Sequence, residues 1–270
     1  MPPPKTIIIT GASSGIGAAT ALQLAKEKHN LILAARRLEK LDGVAKKCRD
    51  LGANPLTLRC DVSNRHEVDA LVSTTLEKFP RLDVMLANAG YGFLAKIHET
   101  TDQQFDDIVA TNIKGTLYCM QAAAKIMRNQ DPTGPRRAPC GHIIAVSSGA
   151  GRRGLPLYGV YSMTKAAQLS LAEAMRVELK PQGIYVSTVH PLTTATEFFD
   201  VASSKSRLRS TGLGHAQPAE IVAKKIARLI ANPKPELWPV FASRWGLVFA
   251  AAFPSIVDYA MARTIYRRTR

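Results

Sequence analysis

Short apolar runs rich in β-branched residues alternate along the chain with longer segments of helical periodicity, and no other feature constrains the fold as strongly. The apolar runs cover residues 6–10, 30–35, 56–58, 83–87, 142–146 and 185–189. The segments between them predict helices over residues 15–28, 38–51, 102–127 and 158–180. Two further helices are predicted, one that follows a cap at Ser63 and one that begins near Pro218. Strands that alternate with helices of this length predict right-handed βαβ units around a parallel sheet.

Two segments break this alternation. Residues 129–141 are rich in proline and glycine and predict a loop. Residues 197–217 are rich in serine, arginine and glycine with little periodicity, and a long loop inside an α/β domain often covers a substrate. We therefore predict a single domain over residues 1–270, with a mobile substrate lid at 197–217 and a C-terminal extension at about 242–270.

Composition narrows the class of protein. Hydrophobic residues make up 46% of the chain and charged residues 21%, which excludes a disordered, collagen-like or multi-pass membrane protein. The N-terminal residues lack the apolar core of a secretory signal, and the four cysteines are scattered without metal-binding spacing. We therefore expect a cytoplasmic protein with reduced thiols and without a metal site.

The basic residues bear on the choice of partner. The formal net charge is +15, and residues 201–270 hold twelve Lys and Arg against three acidic residues. Such an excess favours anionic partners such as phosphorylated cofactors, acidic substrates, nucleic acid or lipid, although a solvated basic surface gives the same count. Because no basic stretch is interleaved with aromatic residues, we expect no nucleic-acid partner.

A glycine-rich turn joins the first predicted strand to the first predicted helix. It reads Thr10-Gly11-Ala12-Ser13-Ser14-Gly15-Ile16-Gly17. Glycines there permit a tight turn and let a pyrophosphate approach the backbone at the helix N-terminus, although many strand–helix junctions use glycine only to turn. The place of this turn after the first strand of a βαβ series favours a nucleotide.

The end of the second predicted strand indicates which nucleotide is bound. Proteins that bind NAD generally place Asp or Glu there for the ribose 2′-hydroxyl, whereas an arginine suits a 2′-phosphate. This strand ends in Arg36 and Arg37, and the first acidic residue after it is Glu39. Because guanidinium groups can bind phosphate through two parallel hydrogen bonds, we predict NADP(H) as the cofactor.

A tyrosine and a lysine lie four residues apart near the start of the helix that follows the fifth predicted strand. Tyr161 and Lys165 therefore share one helix face, where the ammonium group is expected to favour the ionised phenol. Such a tyrosine can act as a general acid or base, although the same spacing also occurs on many helix surfaces. Ser148, at the end of the fifth strand, is placed to hydrogen-bond a substrate carbonyl or to cap a turn.

Taken together, these motifs resemble the short-chain dehydrogenase/reductase superfamily over nearly the whole chain. The matching residues are the glycine turn, Asp61-Val62, Asn88-Ala89-Gly90, Asn112, Ser148, Tyr161 with Lys165, and Pro191 through Thr196. The resemblance implies an α/β fold with a Rossmann-like, doubly wound parallel sheet of about seven strands and helices on both faces. It also implies a homodimer or homotetramer that interconverts a carbonyl and a secondary alcohol with NADP(H).

The resemblance also assigns roles to single residues. Catalysis falls to Asn112, Ser148, Tyr161 and Lys165, with Asn112 kinking the long helix and holding a water that relays protons to Lys165. The implied cofactor contacts are Gly11, Ser13, Ser14, Gly15, Ile16, Gly17, Arg36, Arg37, Asp61, Val62, Asn88, Ala89, Gly90, Tyr161, Lys165, Pro191, Thr194 and Thr196. One departure bears on the substrate: Leu192 stands where the family has glycine, so we expect a shifted or narrowed nicotinamide pocket.

The C-terminal extension holds thirteen uncharged residues, 245–257, between Arg244 and Asp258. A membrane-spanning helix needs about 20 apolar residues, so this stretch is too short to cross a bilayer. We expect it to pack on the sheet or on a second subunit, with contact between the basic C-terminus and anionic lipid as the alternative.

Three classes of function stay open. The first is the NADP(H)-dependent oxidoreductase, and the second is a cofactor-binding sensor or scaffold of the same fold with little turnover. The complete set of Ser148, Tyr161 and Lys165 argues against the second class, because a sensor needs no proton donor. The third is a basic protein that binds nucleic acid or a membrane surface.

For the oxidoreductase, the aromatic and arginine residues in 197–217 indicate a partly apolar substrate with an acidic end.

Overall fold

A seven-stranded parallel sheet forms the centre of the computed structural model, which describes residues 3–131, 140–206 and 216–266. The strands are β1 (Thr6–Thr10), β2 (Asn30–Ala35), β3 (Leu56–Arg59), β4 (Val84–Ala87), β5 (Gly141–Val146), β6 (Ile184–Val189), β7 (Thr194–Ala195), β8 (Gln217–Pro218) and β9 (Glu236–Leu237). The sheet runs β3-β2-β1-β4-β5-β6-β9, while β7 and β8 pair separately. This order reverses beside β1, which opens a crevice at the carboxyl ends of β1 and β4 and confirms the predicted Rossmann-like fold.

Helices cover both faces of the sheet. They are α1 (Gly15–Ala25), α2 (Leu38–Asp50), α3 (Arg65–Lys78), α4 (Asp102–Ile108), α5 (Gly115–Met127), α6 (Gly159–Leu179), α7 (Phe198–Ser204), α8 (Ala219–Ala231), α9 (Phe241–Ala252) and α10 (Pro254–Tyr266). Helix α4 does not run straight into α5, because Val109–Lys114 is a π-helical segment between them. The predicted helix over 102–127 is therefore continuous in the chain, but a π-helical segment that contains Asn112 interrupts its α-helical geometry.

The core has two layers because the buried strands are apolar on both faces. On one face, Ile8 and Ile32 pack with residues of α3, α5 and α6. On the other face, Ile7, Ile9 and Leu31 pack with residues of α1, α2 and α8. Burial of this continuous apolar surface is the main force that holds the βαβ units together. This packing holds in place the carboxyl ends of the strands, where the crevice opens.

Several sequence-based boundaries are wrong. The cap of α3 is Asn64, whose side chain accepts from the backbone N–H of His66, while the neighbouring Ser63 donates to Asp61 instead. Strand β9 was not predicted, because two residues are too short to show a pattern. Of the loop predicted over 129–141, Gly141 already belongs to β5 and residues 132–139 lie outside the described chain.

The segment predicted as a lid begins with a helix. Helix α7 occupies Phe198–Ser204, so this part is not an irregular loop, and residues 207–215 lie outside the described chain. The hydroxyl of Ser206 accepts from the backbone N–H of Leu94 at 2.7 Å, which ties the end of α7 to the loop after β4. That residues 197–217 move as a lid stays a prediction.

The C-terminal extension folds as α9 and α10, which meet at a bend of 107°. Most large apolar side chains of these helices are exposed, so they do not pack on the sheet. The other two expectations, packing on a second subunit and contact with anionic lipid, stay predictions. Within the described residues, no single helix meets the length and hydropathy of a membrane span, although this bent pair meets them together.

Candidate active site

The glycine turn brings the start of α1 against the end of β4. The backbone of Gly11 has φ +66°, and a Cβ atom there would lie 2.9 Å from the Cα atom of Ala89. A Cβ atom on Gly17 would lie 2.4 Å from the carbonyl oxygen of Gly11. Only glycine fits these two positions, which leaves the backbone of the turn close to the cleft, as a bound pyrophosphate requires.

The carboxyl end of β4 is fastened to the same turn. The Asn88 side chain donates to the carbonyl oxygen of Thr10 at 2.9 Å, and the Thr10 hydroxyl accepts from the backbone N–H groups of Asn88 and Ala89. Asn88 therefore holds the two strand ends together, a structural role beside the cofactor contact that the resemblance implies. Gly90 follows Ala89 along the cleft wall.

Two arginines border the cleft at the end of β2. Arg37 donates to the hydroxyls of Ser14 at 3.0 Å and Ser13 at 3.3 Å, and it pairs with Glu197 at 2.9 Å. Arg36 lies 3.6 Å from a carboxylate oxygen of Asp61. Both guanidinium groups are about half exposed, so an anion entering the cleft can reach them.

Asp61 is the acidic counterpart at the end of β3. Burial raises the pKa of its carboxyl, but hydrogen bonds from Ser63 and the charge of Arg36 outweigh that effect, so the pKa is lowered overall. The carboxylate is therefore ionised at neutral pH and orders Arg36 beside the cleft. Val62 lines the cleft next to it.

Tyr161 lies deep in the cleft near the start of α6. Burial raises the pKa of its phenol to about 12, and an interaction with Ser148 offsets only part of that rise. The expectation that Lys165 would favour the ionised phenol is wrong in this structure, because its Nζ atom lies 5.7 Å from the ring centroid and desolvation dominates. The phenol is therefore protonated at neutral pH and can donate a proton.

Ser148 caps a short 3₁₀ turn, Gly149–Gly151, and also faces the cleft. Its hydroxyl accepts from the backbone N–H of Ala150 at 3.1 Å and donates to the carbonyl oxygen of Pro191 at 3.3 Å. The capping role is therefore observed, while the interaction with Tyr161 places the same hydroxyl at the reacting end. The Ser148 side chain can therefore cap the turn and also lie beside Tyr161, so the two predicted roles do not exclude each other.

Lys165 is anchored by a residue that sequence reasoning missed. Its Nζ atom donates to the carbonyl oxygen of Val146 and to Oε1 of Gln168, both at 2.9 Å. Gln168 is fully buried, and its Nε2 atom donates to the carbonyl oxygen of Asn112 and the hydroxyl of Thr116, both at 2.7 Å. Desolvation lowers the pKa of Lys165 to about 7. A polar residue three positions after the lysine, on the same helix face, was the available sequence signal.

Asn112 lies behind the cleft in the π-helical segment. Its side-chain amide donates to the carbonyl oxygen of Tyr91 at 2.8 Å and to the hydroxyl of Thr164 at 3.0 Å, and its Oδ1 atom accepts from the backbone N–H of Tyr91. The side chain therefore joins α6 to the loop after β4. Its backbone carbonyl is joined to Lys165 through Gln168, where the resemblance implies a water.

The elements described above enclose one cleft of about 600 Å³. Of the residues predicted for the site, those that line it are Gly11, Ser13, Ser14, Gly15, Ile16, Arg36, Arg37, Asp61, Val62, Asn88, Ala89, Gly90, Ser148, Tyr161, Lys165, Pro191, Thr194 and Thr196. Gly17 and Asn112 do not line it and support it from behind. The structure therefore gathers the predicted residues at the carboxyl ends of strands β1 to β6.

The end of the cleft near Tyr161 is apolar. The Phe198 ring of α7 lies 5.2 Å from the Tyr161 ring, centroid to centroid. Leu192 and Leu247 also line this end, and Leu192 packs against Gly149. Leu192 therefore contributes apolar wall, and Leu247 of α9 is a site residue that sequence reasoning missed. Arg207 and Arg209, the expected partners of an acidic group, lie outside the described chain.

The geometry of the cleft agrees with comparisons to known proteins. A family model of the short chain dehydrogenases matches residues 5–207. The chain belongs to the short-chain dehydrogenase family. It is 33% identical over 208 residues to glycine betaine reductase ATRR of Emericella nidulans, a match that covers 77% of this chain and only 16% of that protein. It is 32% identical over 206 residues to a 3β-hydroxysteroid dehydrogenase of Mediterraneibacter gnavus, covering 76% and 71% of the two chains.

Solved structures extend the likeness to the whole fold. A short-chain dehydrogenase from Sphingobium yanoikuyae in complex with NADPH superposes with a TM-score of 0.77 at 26% identity and covers 94% of this chain and 96% of its own. Other structures with this fold hold NAD or NADP. This short-chain dehydrogenase is therefore a carbonyl/alcohol oxidoreductase of the nicotinamide-dependent class.

Proposed function

We propose that this short-chain dehydrogenase reduces a carbonyl to a secondary alcohol, and catalyses the reverse reaction, with NADP(H) as cofactor and Tyr161 as general acid and base. The observation that carries the proposal is the partly buried Tyr161 phenol, which shares one cleft with Ser148 and Lys165. Burial raises the pKa of this phenol to about 12, so it holds its proton at neutral pH. A protonated phenol suits reduction, in which the carbonyl oxygen gains a proton as the alcohol forms.

The residues present fit a phosphorylated dinucleotide. The glycine turn would hold the pyrophosphate, Asp61 and Val62 the adenine, and Lys165 the nicotinamide ribose. Arg36 and Arg37 would bind a 2′-phosphate, and these two guanidinium groups support NADP(H) over NAD. When bound, the cofactor supplies or accepts the hydride.

Ser148 and Tyr161 divide the work at the substrate oxygen. The Ser148 hydroxyl orients the carbonyl oxygen, and the Tyr161 hydroxyl transfers its proton as negative charge develops there. The apolar side chains of Leu192, Phe198 and Leu247 exclude water from this end of the cleft and favour an apolar substrate.

Gln168 is a positioning residue in this mechanism. Its amide fills the gap between the Lys165 ammonium group and the Asn112 carbonyl with hydrogen bonds of 2.9 and 2.7 Å. Because the lysine is buried and its pKa is lowered to about 7, loss of one acceptor would shift it further toward the neutral form. Gln168 therefore favours the charged form of Lys165 beside Tyr161.

The substitution Tyr161→Phe tests the proposal, with Tyr185→Phe, a half-exposed tyrosine on β6, as the matched control. We expect carbonyl-dependent NADPH consumption to fall about a thousandfold in Tyr161→Phe, because the ring stays but the transferable proton is removed. The affinity for NADPH, measured by fluorescence quenching, and the melting temperature should stay close to wild type.

Two results would contradict the proposal. Equal turnover in Tyr161→Phe and wild type would remove the tyrosine from the chemistry. NADPH binding without turnover of any carbonyl by the wild-type protein, over a panel of apolar ketones and aldehydes, would favour the cofactor-binding sensor or scaffold.

We also propose that the protein works in a reducing compartment such as the cytoplasm. Cys48, Cys60, Cys119 and Cys140 are all free and buried, which supports this. Imaging of a fluorescent fusion of the full chain tests the location. A homodimer or homotetramer stays a prediction of the family resemblance.

A further inference from the structure

Helix α9 presents an apolar stripe to solvent. Phe241, Trp245, Val248 and Phe249 follow the spacing of one helix face, and their side chains are 66, 61, 53 and 48% exposed. A helix at the surface of a globular protein normally turns such a stripe toward the core. Here the opposite side of α9 is the one that faces the protein, because Ala250 is buried and Leu247 lines the cleft.

The stripe continues into α10. The rings of Phe249 and Phe253 lie 4.9 Å apart across the bend, and Phe253, Ile256 and Tyr259 are 50, 60 and 60% exposed. We define the C-terminal apolar face as Phe241, Trp245, Val248, Phe249, Phe253, Ile256 and Tyr259. A cluster of this kind marks an interaction site, unlike single exposed apolar side chains.

Basic residues accompany this face. Residues 237–270 contain five arginines and one acidic residue, Asp258. Asp258 forms an ion pair with Arg153 of the protein body, which neutralises the only acidic group of the segment. Arg244 is exposed on α9, and the Arg263 guanidinium lies 4.4 Å from the centre of the Tyr259 ring. The C-terminal apolar face therefore carries fixed positive charge.

We propose that the C-terminal apolar face docks the protein on the surface of a membrane that contains anionic lipid. Aromatic and aliphatic side chains beside arginines are the composition of helices that lie in the lipid–water interface. The cytoplasmic leaflet carries the negative surface potential that attracts such arginines. Docking does not depend on turnover, so it can be tested separately from the proposed activity.

Charge and geometry favour lipid over two other occupants. A symmetric contact with a second copy would place the arginines of both copies in one interface without acidic partners from this segment other than Asp258, and like charges repel. A bilayer span needs one continuous helical path, whereas α9 and α10 meet at 107°. An anionic lipid surface covers the apolar side chains and attracts the arginines, with neither like-charge repulsion nor the need for a straight spanning helix.

Co-sedimentation of the full chain with vesicles tests the docking. The vesicles contain phosphatidylcholine alone or with phosphatidylserine added. We expect binding to the anionic vesicles only, weakened at least about tenfold when salt rises to ~0.5 M. The double substitution Trp245→Ser with Phe249→Ser should weaken binding by about tenfold or more, and Arg244→Glu should also weaken it. Val177→Ser is the matched control, because Val177 is 74% exposed on α6, outside this face.

Other outcomes would overturn the proposal. Absence of binding to anionic vesicles overturns it outright, and a dimer in analytical ultracentrifugation that the double substitution dissociates would then assign the face to a second copy. Binding that resists both high salt and alkaline washing indicates insertion. Equal loss of binding in Val177→Ser would show that the C-terminal apolar face is not the site. Unchanged melting temperatures of the variants confirm that they are folded.

Discussion

The cofactor cleft and the C-terminal apolar face lie on either side of Leu247, and they differ in whether the chain itself covers or hydrogen-bonds their side chains. In the cleft, buried polar groups are satisfied from within the chain: Gln168 alone joins Lys165, Asn112 and Thr116. The C-terminal apolar face instead leaves seven large side chains about half exposed or more. The cleft is therefore organised before a ligand arrives, while among the described residues nothing covers the C-terminal apolar face.

The largest expected effect contrasts two helical glycines. Gly17→Ala places a Cβ atom 2.4 Å from backbone at the turn, whereas Gly246 on α9 has nothing within 4 Å. We expect Gly17→Ala to abolish measurable NADPH binding and to lower the melting temperature, because backbone cannot move aside. Gly246→Ala should raise the free energy of unfolding by about 0.5–1 kcal/mol, the usual gain of alanine in a helix.

Titration calorimetry and thermal denaturation measure both effects. If Gly17→Ala binds NADPH like wild type, the close turn is not needed for the cofactor. If Gly246→Ala destabilises the protein, α9 is not an unobstructed surface helix, and the contrast between the two regions fails.

The next effect concerns cofactor choice at the edge of the cleft. Arg36→Asp and Arg37→Asp should each lower the ratio of NADPH to NADH affinity by about tenfold to a hundredfold, since each removes charge-assisted hydrogen bonds to a 2′-phosphate. Arg49→Asp, an exposed arginine farther along α2, makes the same change of charge and should leave the ratio unchanged. Equal wild-type affinities for the two cofactors would refute the assignment of a 2′-phosphate site.

A smaller effect, with a clear sign, is expected at Gln168. Gln168→Leu removes an acceptor from the Lys165 ammonium group and should lower the pKa of Lys165 below its value of about 7, whereas Gln168→Glu should raise it. The pH above which kcat declines should therefore move down in the first variant and up in the second, by about one unit each.

Steady-state kinetics from pH 5 to 10 separate this role from simple packing. Gln103→Leu, on the exposed surface of α4, is the control and should keep the wild-type profile. Shifts in the same direction for Leu and Glu would show that Gln168 acts through structure alone.

The smallest effect lies in the C-terminal helices. Asp258→Asn breaks the ion pair with Arg153, and the Asp258 side chain is 68% exposed, so the free energy of unfolding should change by about 1 kcal/mol or less. The affinity for anionic vesicles should rise, because the only acidic group of the segment is removed, and NADPH affinity should not change. Asp69→Asn, on the surface of α3, is the control. A fall in vesicle affinity would contradict the electrostatic part of the docking.

Strands and motif residues could be predicted because their signals are local. Buried parallel strands are apolar on both faces, as Ile7, Ile8 and Ile9 are, and the glycine turn needs its residues at fixed spacing. Local signals fail where neighbours compete: Ser63 and Asn64 can both cap α3, and Asp61 decides between them by binding Ser63. The cap of α3 therefore depends on the contact between Ser63 and Asp61.

Other features depend on contacts between distant parts of the chain. Gln168 meets Asn112 and Thr116 across 56 and 52 residues, a distance that no short pattern spans. The raised pKa of Tyr161 follows from desolvation by the residues around it, which its spacing to Lys165 does not reveal. In the C-terminal extension, the uncharged stretch 245–257 did not reveal the bend between α9 and α10, and a sequence alone does not tell whether an apolar stripe faces inward or outward.

Strand β9 has a consequence for how copies of this protein can meet. Only Glu236 and Leu237 pair with β6, and Pro235 and Pro239 flank them. A short edge strand bounded by prolines lacks the row of backbone N–H groups that a strand from another molecule would need. The sheet is thus closed to edge-to-edge growth on this side, which suppresses aggregation through the β9 edge.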